Sequence, residues 1–242
     1  MPTASASGTG CGQCYTCTMR KQPIITGEYY HIYNRGVDKR DIFKNKKDID
    51  RFFESIIEFN QTEIIGSIRD VRKHQPVPQA LADATKDPLV SFVVYCLNPN
   101  HFHFVLKQLV DGGIAKFMQK LQAGYTYYFN VKYSRTGSLF QGPFKSQVMA
   151  SENYFNKILG YVNKNYKVHY IPKNKSHLVY ASDYEYENNN LKIVSKEEGK
   201  RFLNIFSGNK NFKKHCEEII DIIRAERGRV SLLEKDAPPA SA

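Results

Sequence analysis

The stretch LVSFVVYCLNPNHFHFVLKQL, residues 89–109, contains two apolar runs separated by Asn-Pro-Asn. Short runs rich in Val and Phe are typical of buried β-strands. A Pro between two Asn residues is a strong turn signal. The stretch therefore predicts a β-hairpin with strands at 89–97 and 101–109. It decides the class of fold because a tight hairpin requires antiparallel pairing.

The segments around this hairpin alternate between strand and helix patterns. A strand ending in a loop is predicted within 27–38, an amphipathic helix at 47–60, a long helix at 112–134, a loop leading into a strand at 137–150, and a second long helix at 151–168 with Ser151 as N-cap. The resulting order, β-α-β-β-α-β-α, predicts an α+β fold. We expect a ferredoxin-like or RRM-like antiparallel sheet with helices packed on one face.

The two ends of the chain and one internal segment differ in composition from this central part. Residues 1–18 are small and polar and are expected to be a disordered leader, followed by a main domain at 19–180. A Pro-rich segment at about 66–88 predicts an irregular insertion. Charged helical sequence predicts a C-terminal helical extension within 181–242, which ends in a frayed tail.

The leader contains the motif C-x-x-C-x-x-C, formed by Cys11, Cys14 and Cys17. This spacing is compatible with zinc or an iron–sulfur cluster, but no fourth ligand lies nearby. The role of these cysteines stays open. No apolar run approaches the ~18 residues of a transmembrane helix, and the N-terminus lacks the features of a secretory signal. A cytoplasmic protein without a membrane partner is therefore expected.

The positive charge of the chain is concentrated in one segment. Residues 112–180 contain 10 Lys or Arg against one Glu, so +9 of the net charge of +11 lies there. Tyr and Phe residues are interleaved with these cations. Concentrated positive charge with aromatic side chains suits a phosphate backbone with unstacked bases. The segment therefore indicates a nucleic-acid partner, with a solvated basic surface as the alternative.

The returning strand of the hairpin carries two histidines, His101 and His103. Because side chains alternate along a strand, both imidazoles lie on one face and Phe102 and Phe104 on the other. Backbone positions two residues apart in a strand are about 7 Å apart, which allows both rings to reach one cation. The alternatives are a metal site and a pair of surface histidines.

The predicted second helix carries Tyr161 and Asn165, which are related as i and i+4 and so share a face. A Tyr hydroxyl is a usable nucleophile, and an Asn carbonyl oxygen is a neutral metal ligand. By themselves these two residues are far more typical of an ordinary amphipathic helix than of a catalytic site.

Four motifs in this order and spacing carry a family resemblance: YHIYNRG (30–36), NPNHFHFVL (98–106), KYSRTGSLFQGPFKS (132–146) and YVNKN (161–165). Together they resemble the single-tyrosine HUH transposases, above all the bacterial REP-associated tyrosine transposases. The resemblance covers residues 20–170. It implies His101 and His103 as the metal-binding pair, Tyr161 as the nucleophile and Asn165 as a third ligand.

The same resemblance implies an activity and its partners. The expected function is a single-stranded DNA endonuclease and strand transferase that cuts beside hairpins, such as REP-like palindromes, through a 5′-phosphotyrosine intermediate. The expected cofactor is Mg²⁺ or Mn²⁺, and the protein would act on the bacterial nucleoid as a monomer or a homodimer. The target sequence and the general base are not predicted.

Cationic and polar residues are candidates for DNA contacts: Asn34, Arg35, Lys116, Lys120, Lys132, Arg135 and Lys145. Phe140 and Phe144 are candidates for base stacking or, equally, for the core. Asn34 and Arg35 could read bases or simply form a turn.

Two other classes of function compete with the transposase. One is a non-catalytic RNA- or DNA-binding module that uses the basic aromatic segment and leaves the histidines structural. The other is a zinc hydrolase that combines the two histidines with a distant carboxylate. The order of the four motifs favours the transposase.

Overall fold

The computed structural model describes residues 23–63, 68, 87–169 and 171–235, with side chains as far as residue 226. The expected leader with its three cysteines, nearly all of the expected insertion at 66–88, and the tail from residue 236 lie outside these described residues. Within them, no helix is long and apolar enough to cross a membrane.

A single antiparallel sheet of five strands forms the centre of the molecule, in the order β4-β1-β3-β2-β5. The strands are β1 (Tyr29–Arg35), β2 (Val90–Asn98), β3 (His101–Gln108), β4 (Lys145–Val148) and β5 (Tyr180–Ala181). The predicted hairpin is confirmed, since β2 pairs with β3 and Asn98 lies opposite His101. The short strand β5 had no clear sequence signal because only two of its residues pair.

In the part of the chain that the structure describes, six α-helices accompany the sheet: α1 (Lys46–Phe59), α2 (Gly113–Lys132), α3 (Glu152–Asn163), α4 (Asp183–Glu187), α5 (Lys196–Ile205) and α6 (Asn209–Lys235). Helix α1 begins at a capping box in which Asn45 and Asp48 each bind the other's backbone N–H. The α+β class and the C-terminal helices are confirmed. The core lies where α1 and α2 cover one face of the sheet, around Phe52, Phe104 and Phe117.

The expected packing of helices on one face only is corrected in one respect. Helix α3 lies against the second face of the sheet, where the ring of Tyr161 contacts the rings of His31 and His103 edge-on. This face is apolar enough to be covered, because Tyr29 on β1 also packs against Phe155 of α3. The histidine face is therefore a partly buried interface and not an open surface.

The second predicted helix is shorter than 151–168. Its N-cap is Ser151 as predicted, but α3 ends at Asn163 and a 3₁₀ turn follows at Asn165–Lys167. Buried polar contacts fix the chain here: Asn163 accepts a hydrogen bond from Ser182 at 2.6 Å, and the buried Lys164 pairs with Asp183 and Glu217. Tyr161 and Asn165 therefore do not share one α-helical face.

Helix α6 supports α3 from the side away from the sheet. At Gly160 the two helices approach so closely that a Cβ atom would lie 3.0 Å from the side chain of Ile219. A side chain at this position would press on Ile219, so a glycine suits the close packing of the two helices. The C-terminal extension thus holds in place the helix that carries Tyr161.

Candidate metal centre and nucleic-acid cleft

Three imidazoles converge on the second face of the sheet. His101 and His103 project from β3, and His169 follows the 3₁₀ turn after α3; one ring nitrogen of each lies within 4.8 Å of the others. His103 is buried, and the other two are partly exposed. Three nitrogen donors at such separations suit one divalent cation with open positions left for a further ligand.

His169 was not predicted as a site residue. Its only signal in the sequence is a histidine eight residues after Tyr161, directly after the helix predicted at 151–168. Had the helix continued, there would have been no reason to place this ring beside His101. The end of α3 at Asn163 turns the chain back toward the sheet, where the rings of His169 and His101 lie 4.7 Å apart.

Asn165 lies beside His101, and the 3₁₀ turn after α3 brings it there. Its side-chain Oδ1 is 3.3 Å from His101 Nε2 and accepts a hydrogen bond from Asn98 Nδ2 at 2.9 Å. His101 Nδ1 lies 2.6 Å from Asn100 Oδ1, a contact that requires the ring proton on Nδ1. Asn98 Nδ2 also lies 3.0 Å from His101 Nε2, so the His101 lone pair and the Asn165 oxygen face the same amide. A cation held by these two atoms would replace the hydrogen bonds from Asn98.

A second imidazole orients His103. His31 Nε2 lies 2.9 Å from His103 Nδ1, and both residues are buried. If His103 Nδ1 carries the proton and donates it to His31, the His103 Nε2 lone pair is available for a cation. A partner that fixes the ring and its tautomer in this way is typical of metal-binding histidines. His31 was not predicted as a site residue, although it belongs to the alternating pattern of β1, which pairs with the strand that carries the two histidines.

These imidazoles are held in the neutral form that binds metal. Burial lowers the pKa of His31 to about 4. Burial, followed by the charge of His169, lowers the pKa of His101 to about 4. Burial and the neighbouring histidines place the pKa of His103 well below its ordinary value. At neutral pH all three rings are therefore neutral, and His101 and His103 each keep a lone pair that a cation can use.

Tyr161 contacts this cluster directly. Its ring centre lies 5.6 Å from that of His103 and 6.1 Å from that of His31, and Tyr161 lines the same cleft as the histidines. Tyr33 is a competitor that the sequence analysis missed, since it stacks on His103 at 5.5 Å and lines the cleft too.

Five other tyrosines on α2, on α3 and in the turn after α3 are placed differently. Tyr125 is buried and donates to the backbone oxygen of Ile42, and Tyr166 donates to Asp183. Tyr127 and Tyr128 lie on α2, where Tyr128 contacts Asp48. Tyr154 lies on α3 but does not line the cleft.

The cleft in front of the histidines has a volume of about 440 Å³ and is lined by cations. Of the predicted DNA contacts, Asn34, Arg35 and Lys145 lie here, and Lys39 is an addition. Asn34 uses its amide to bind the Gly142 oxygen and the Arg35 N–H, so it shapes the loop. Among the described residues no carboxylate lines this cleft, so an anionic phosphate meets only positive charge there.

The remaining predicted DNA contacts lie away from the cleft, on α2 and just after it. Lys132 forms an ion pair with the buried Asp48 at 2.5 Å, and Lys120 donates to backbone oxygens of Gln61 and Glu63. Arg135 binds Asn130 and the backbone oxygen of Ser138. These cations are engaged in the fold, whereas Lys116 is exposed near the start of α2.

The loop between α2 and β4 supplies one wall of the cleft. Phe140 is buried in the core and Phe144 is partly buried against it, which favours their packing role over base stacking. Gly142 has a φ of +71°, a conformation that side chains disfavour, and its backbone oxygen receives the Asn34 hydrogen bond. This glycine lets the loop turn beside the cleft.

No protein-family model matches the chain, and no curated protein matches it. Among solved structures, the chain is similar to a REP-associated tyrosine transposase bound to a REP hairpin, with a TM-score of 0.48 and 12% identity. The match covers 73% of this chain and 88% of that chain. Similarity at this level concerns the arrangement of the chain, and function has to be argued from the residues of the site.

Proposed function

We propose that this protein is a metal-dependent endonuclease and strand transferase that acts on single-stranded DNA beside hairpins, with Tyr161 as nucleophile. The observation that carries the proposal is one convergence: three imidazoles, a tyrosine ring and a cation-lined cleft meet at one place. Each component is common alone. Together they supply ligands for a metal, an attacking oxygen and a phosphate-binding surface.

His101, His103 and His169 would hold the cation, with Asn165 as a neutral oxygen ligand. A bound divalent cation supplies Lewis-acid polarisation of a phosphoryl oxygen. Mg²⁺ prefers oxygen ligands, whereas imidazole binds transition metals more tightly. The third imidazole therefore favours Mn²⁺ over Mg²⁺ as the activating ion.

Tyr161 would attack the scissile phosphorus in line with the leaving O3′. The new bond joins the Tyr161 oxygen to phosphorus, and the bond between phosphorus and O3′ breaks. Tyr161 gives up its hydroxyl proton and the leaving oxygen takes one up, so the step leaves proton number unchanged. The phosphotyrosine ester conserves the energy of the broken bond, so a second 3′-OH can displace Tyr161 and rejoin the strands.

Arg35, Lys39 and Lys145 would hold the phosphates on either side of the scissile bond. The proposed partner is a single strand that carries a REP-like hairpin. All residues of the site come from one chain, so that one copy has the groups needed for the chemistry, whether the protein is a monomer or a homodimer.

A second candidate function is a metal-dependent phosphodiesterase in which water, and not Tyr161, is the nucleophile. The observation that favours it is the third imidazole, because three histidines with an open position suit a metal-activated water. In this reading Tyr161 would only pack against His103, and no covalent adduct would form.

The test is adduct formation with single-stranded oligonucleotides that carry hairpins from the DNA beside the gene, labelled at the 3′ end and incubated with Mn²⁺ or Mg²⁺. We expect a covalent adduct that maps to Tyr161, forms better with Mn²⁺, and is abolished in Tyr161→Phe because the attacking atom is absent. Tyr33→Phe is the matched control, since Tyr33 also stacks on His103. An adduct mapped to Tyr33, or cleavage unchanged in Tyr161→Phe, would overturn the role of Tyr161.

A further inference from the structure

A second cavity opens beside the histidine cleft, with a volume of about 690 Å³. Both spaces are lined by His169, so the cavity continues the cleft on the far side of this ring. Four tyrosines line it: Tyr95, Tyr166, Tyr180 and Tyr184. Its volume lies within the roughly 300–1,000 Å³ of cavities that bind small aromatic molecules.

We propose that this tyrosine pocket binds one unpaired base of the DNA strand whose scissile phosphate occupies the histidine cleft. The inference rests on the proposed function and assigns to the same site a contact with a base, beside the contacts with phosphate. The strand would pass His169, with a phosphate on one side of the ring and a nearby base on the other.

The charge around the tyrosine pocket favours a base over a phosphate. Both of its cations already have partners within the protein. Lys167 forms an ion pair with Glu217 at 2.7 Å, and Arg224 donates two hydrogen bonds to the backbone oxygen of Lys167. Asp183 adds a carboxylate to the lining. The histidine cleft shows the opposite character, with Arg35, Lys39 and Lys145 and no carboxylate among its described lining residues. The two spaces thus match the two parts of a nucleotide.

The pocket has a rigid wall and an exposed aromatic ring. Tyr166 donates to Asp183 at 2.7 Å and Tyr95 donates to the buried Glu185 at 2.9 Å, so hydrogen bonds fix two of the rings. Tyr184 is 70% exposed, and its backbone N–H binds the Asp183 carboxylate. An exposed tyrosine beside a preorganised cavity suits base stacking, which is tolerant of base identity.

The experiment measures binding of hairpin oligonucleotides from the DNA beside the gene, each with one abasic site at a different unpaired position. A Tyr161→Phe background prevents cleavage, so the result does not depend on the nucleophile. We expect one position near the cleavage site at which base removal weakens binding about fivefold or more. Tyr184→Ala should weaken binding to the intact oligonucleotide by a similar factor and abolish the effect of the abasic site at that position.

Two variants control for other causes. Tyr184→Phe keeps the ring and should retain the abasic effect, and Tyr127→Ala removes an equally exposed tyrosine, 73% exposed on α2, and should retain it too. A 5-iodouracil at the sensitive position should crosslink to a peptide of the tyrosine pocket. The proposal is overturned if no unpaired base matters, if the abasic effect persists in Tyr184→Ala, or if the crosslink maps elsewhere. Binding without any adduct in the wild type would refute the proposed function alone.

Discussion

Strand β3 presents two contrasting faces to the rest of the molecule. On one face, Phe102 and Phe104 are completely buried among aromatic rings under α1 and α2. On the other face, His101 and His103 lie under α3. A ring nitrogen of His101 faces Asn165, and a ring nitrogen of His103 faces His31. Burying polar rings costs free energy that apolar rings would not. The phenylalanine face therefore stabilises the fold, whereas the histidine face carries the groups on which the proposed function depends.

The largest expected difference between the two faces appears when one residue on each face is truncated. Phe104→Ala should lower the free energy of unfolding by about 3–5 kcal/mol, because it leaves a cavity in the core. His101→Ala should reduce Mn²⁺ affinity by more than about 100-fold, exceeding the loss of about 10–100-fold typical for an outer partner, with a much smaller effect on unfolding. Denaturant unfolding and titration calorimetry measure the two quantities. Equal destabilisation by both variants, with metal binding intact in His101→Ala, would contradict the division.

His31 offers a second and smaller test, because it belongs to the histidine face but would not touch the cation. His31→Phe keeps a ring in place and removes the acceptor for His103 Nδ1. We expect a loss of about 10–100-fold in Mn²⁺ affinity, which His31→Gln should partly restore through its side-chain oxygen. Tyr33→Phe, which alters a neighbouring stacked ring without removing a hydrogen bond to His103, should have little effect. Unchanged metal binding in His31→Phe would show that His31 only fills space.

The pH dependence of stability distinguishes the two faces again. In the unfolded chain His31 has a pKa near ~6.5, and burial lowers this to about 4 in the folded protein. Between these values the unfolded state binds more protons, so stability is full above pH ~6.5 and falls as the pH decreases toward about 4. We expect thermal unfolding curves of the metal-free protein to show this loss, and His31→Phe to show a shallower dependence. The same slope in both proteins would exclude His31 as a contributor.

The smallest expected effects concern the cations. Lys145 lines the cleft, whereas Lys116 is an exposed residue of α2 that does not line it. Lys145→Ala should weaken binding to single-stranded DNA severalfold and reduce the log–log salt slope by about 0.7 if it contacts one phosphate. Lys116→Ala should change the slope less. Fluorescence anisotropy at several salt concentrations measures the affinity and the salt slope of both variants. A larger loss of affinity in Lys116→Ala than in Lys145→Ala would indicate that the DNA runs along α2.

Prediction from the sequence succeeded where the signal is local. The turn at Asn98–Asn100 and the alternation along 101–104 correctly indicated the hairpin and the division of Phe and His between two faces. The Ser151 N-cap was also correct, because capping depends only on neighbouring residues. It was less successful where distant parts of the chain decide. Periodicity extended the helix to 168, but buried contacts of Asn163 and Lys164 with later segments end it earlier.

The basic segment illustrates a related limit. Composition correctly marks residues 112–180 as positive, but it does not distinguish a cation that faces DNA from one that neutralises a buried acid. Asp48 lies far away in sequence and forms an ion pair with Lys132. Lys120 donates a hydrogen bond to the backbone oxygen of Gln61, just after α1. Charge pairing of this kind is visible only when the partners are known in space.

The α+β class, the antiparallel hairpin and the position of His101 and His103 on one face of a strand all follow from the sequence. The last of these follows because strand alternation is a property of the backbone. Only the tertiary structure decided that His169 joins these two rings, that His31 orients His103, and that a second cavity continues the cleft past His169. These relations join β1, β3 and the turn after α3, which are far apart along the chain. No periodicity encodes them, since each depends on where a helix stops and on which face of the sheet it lies.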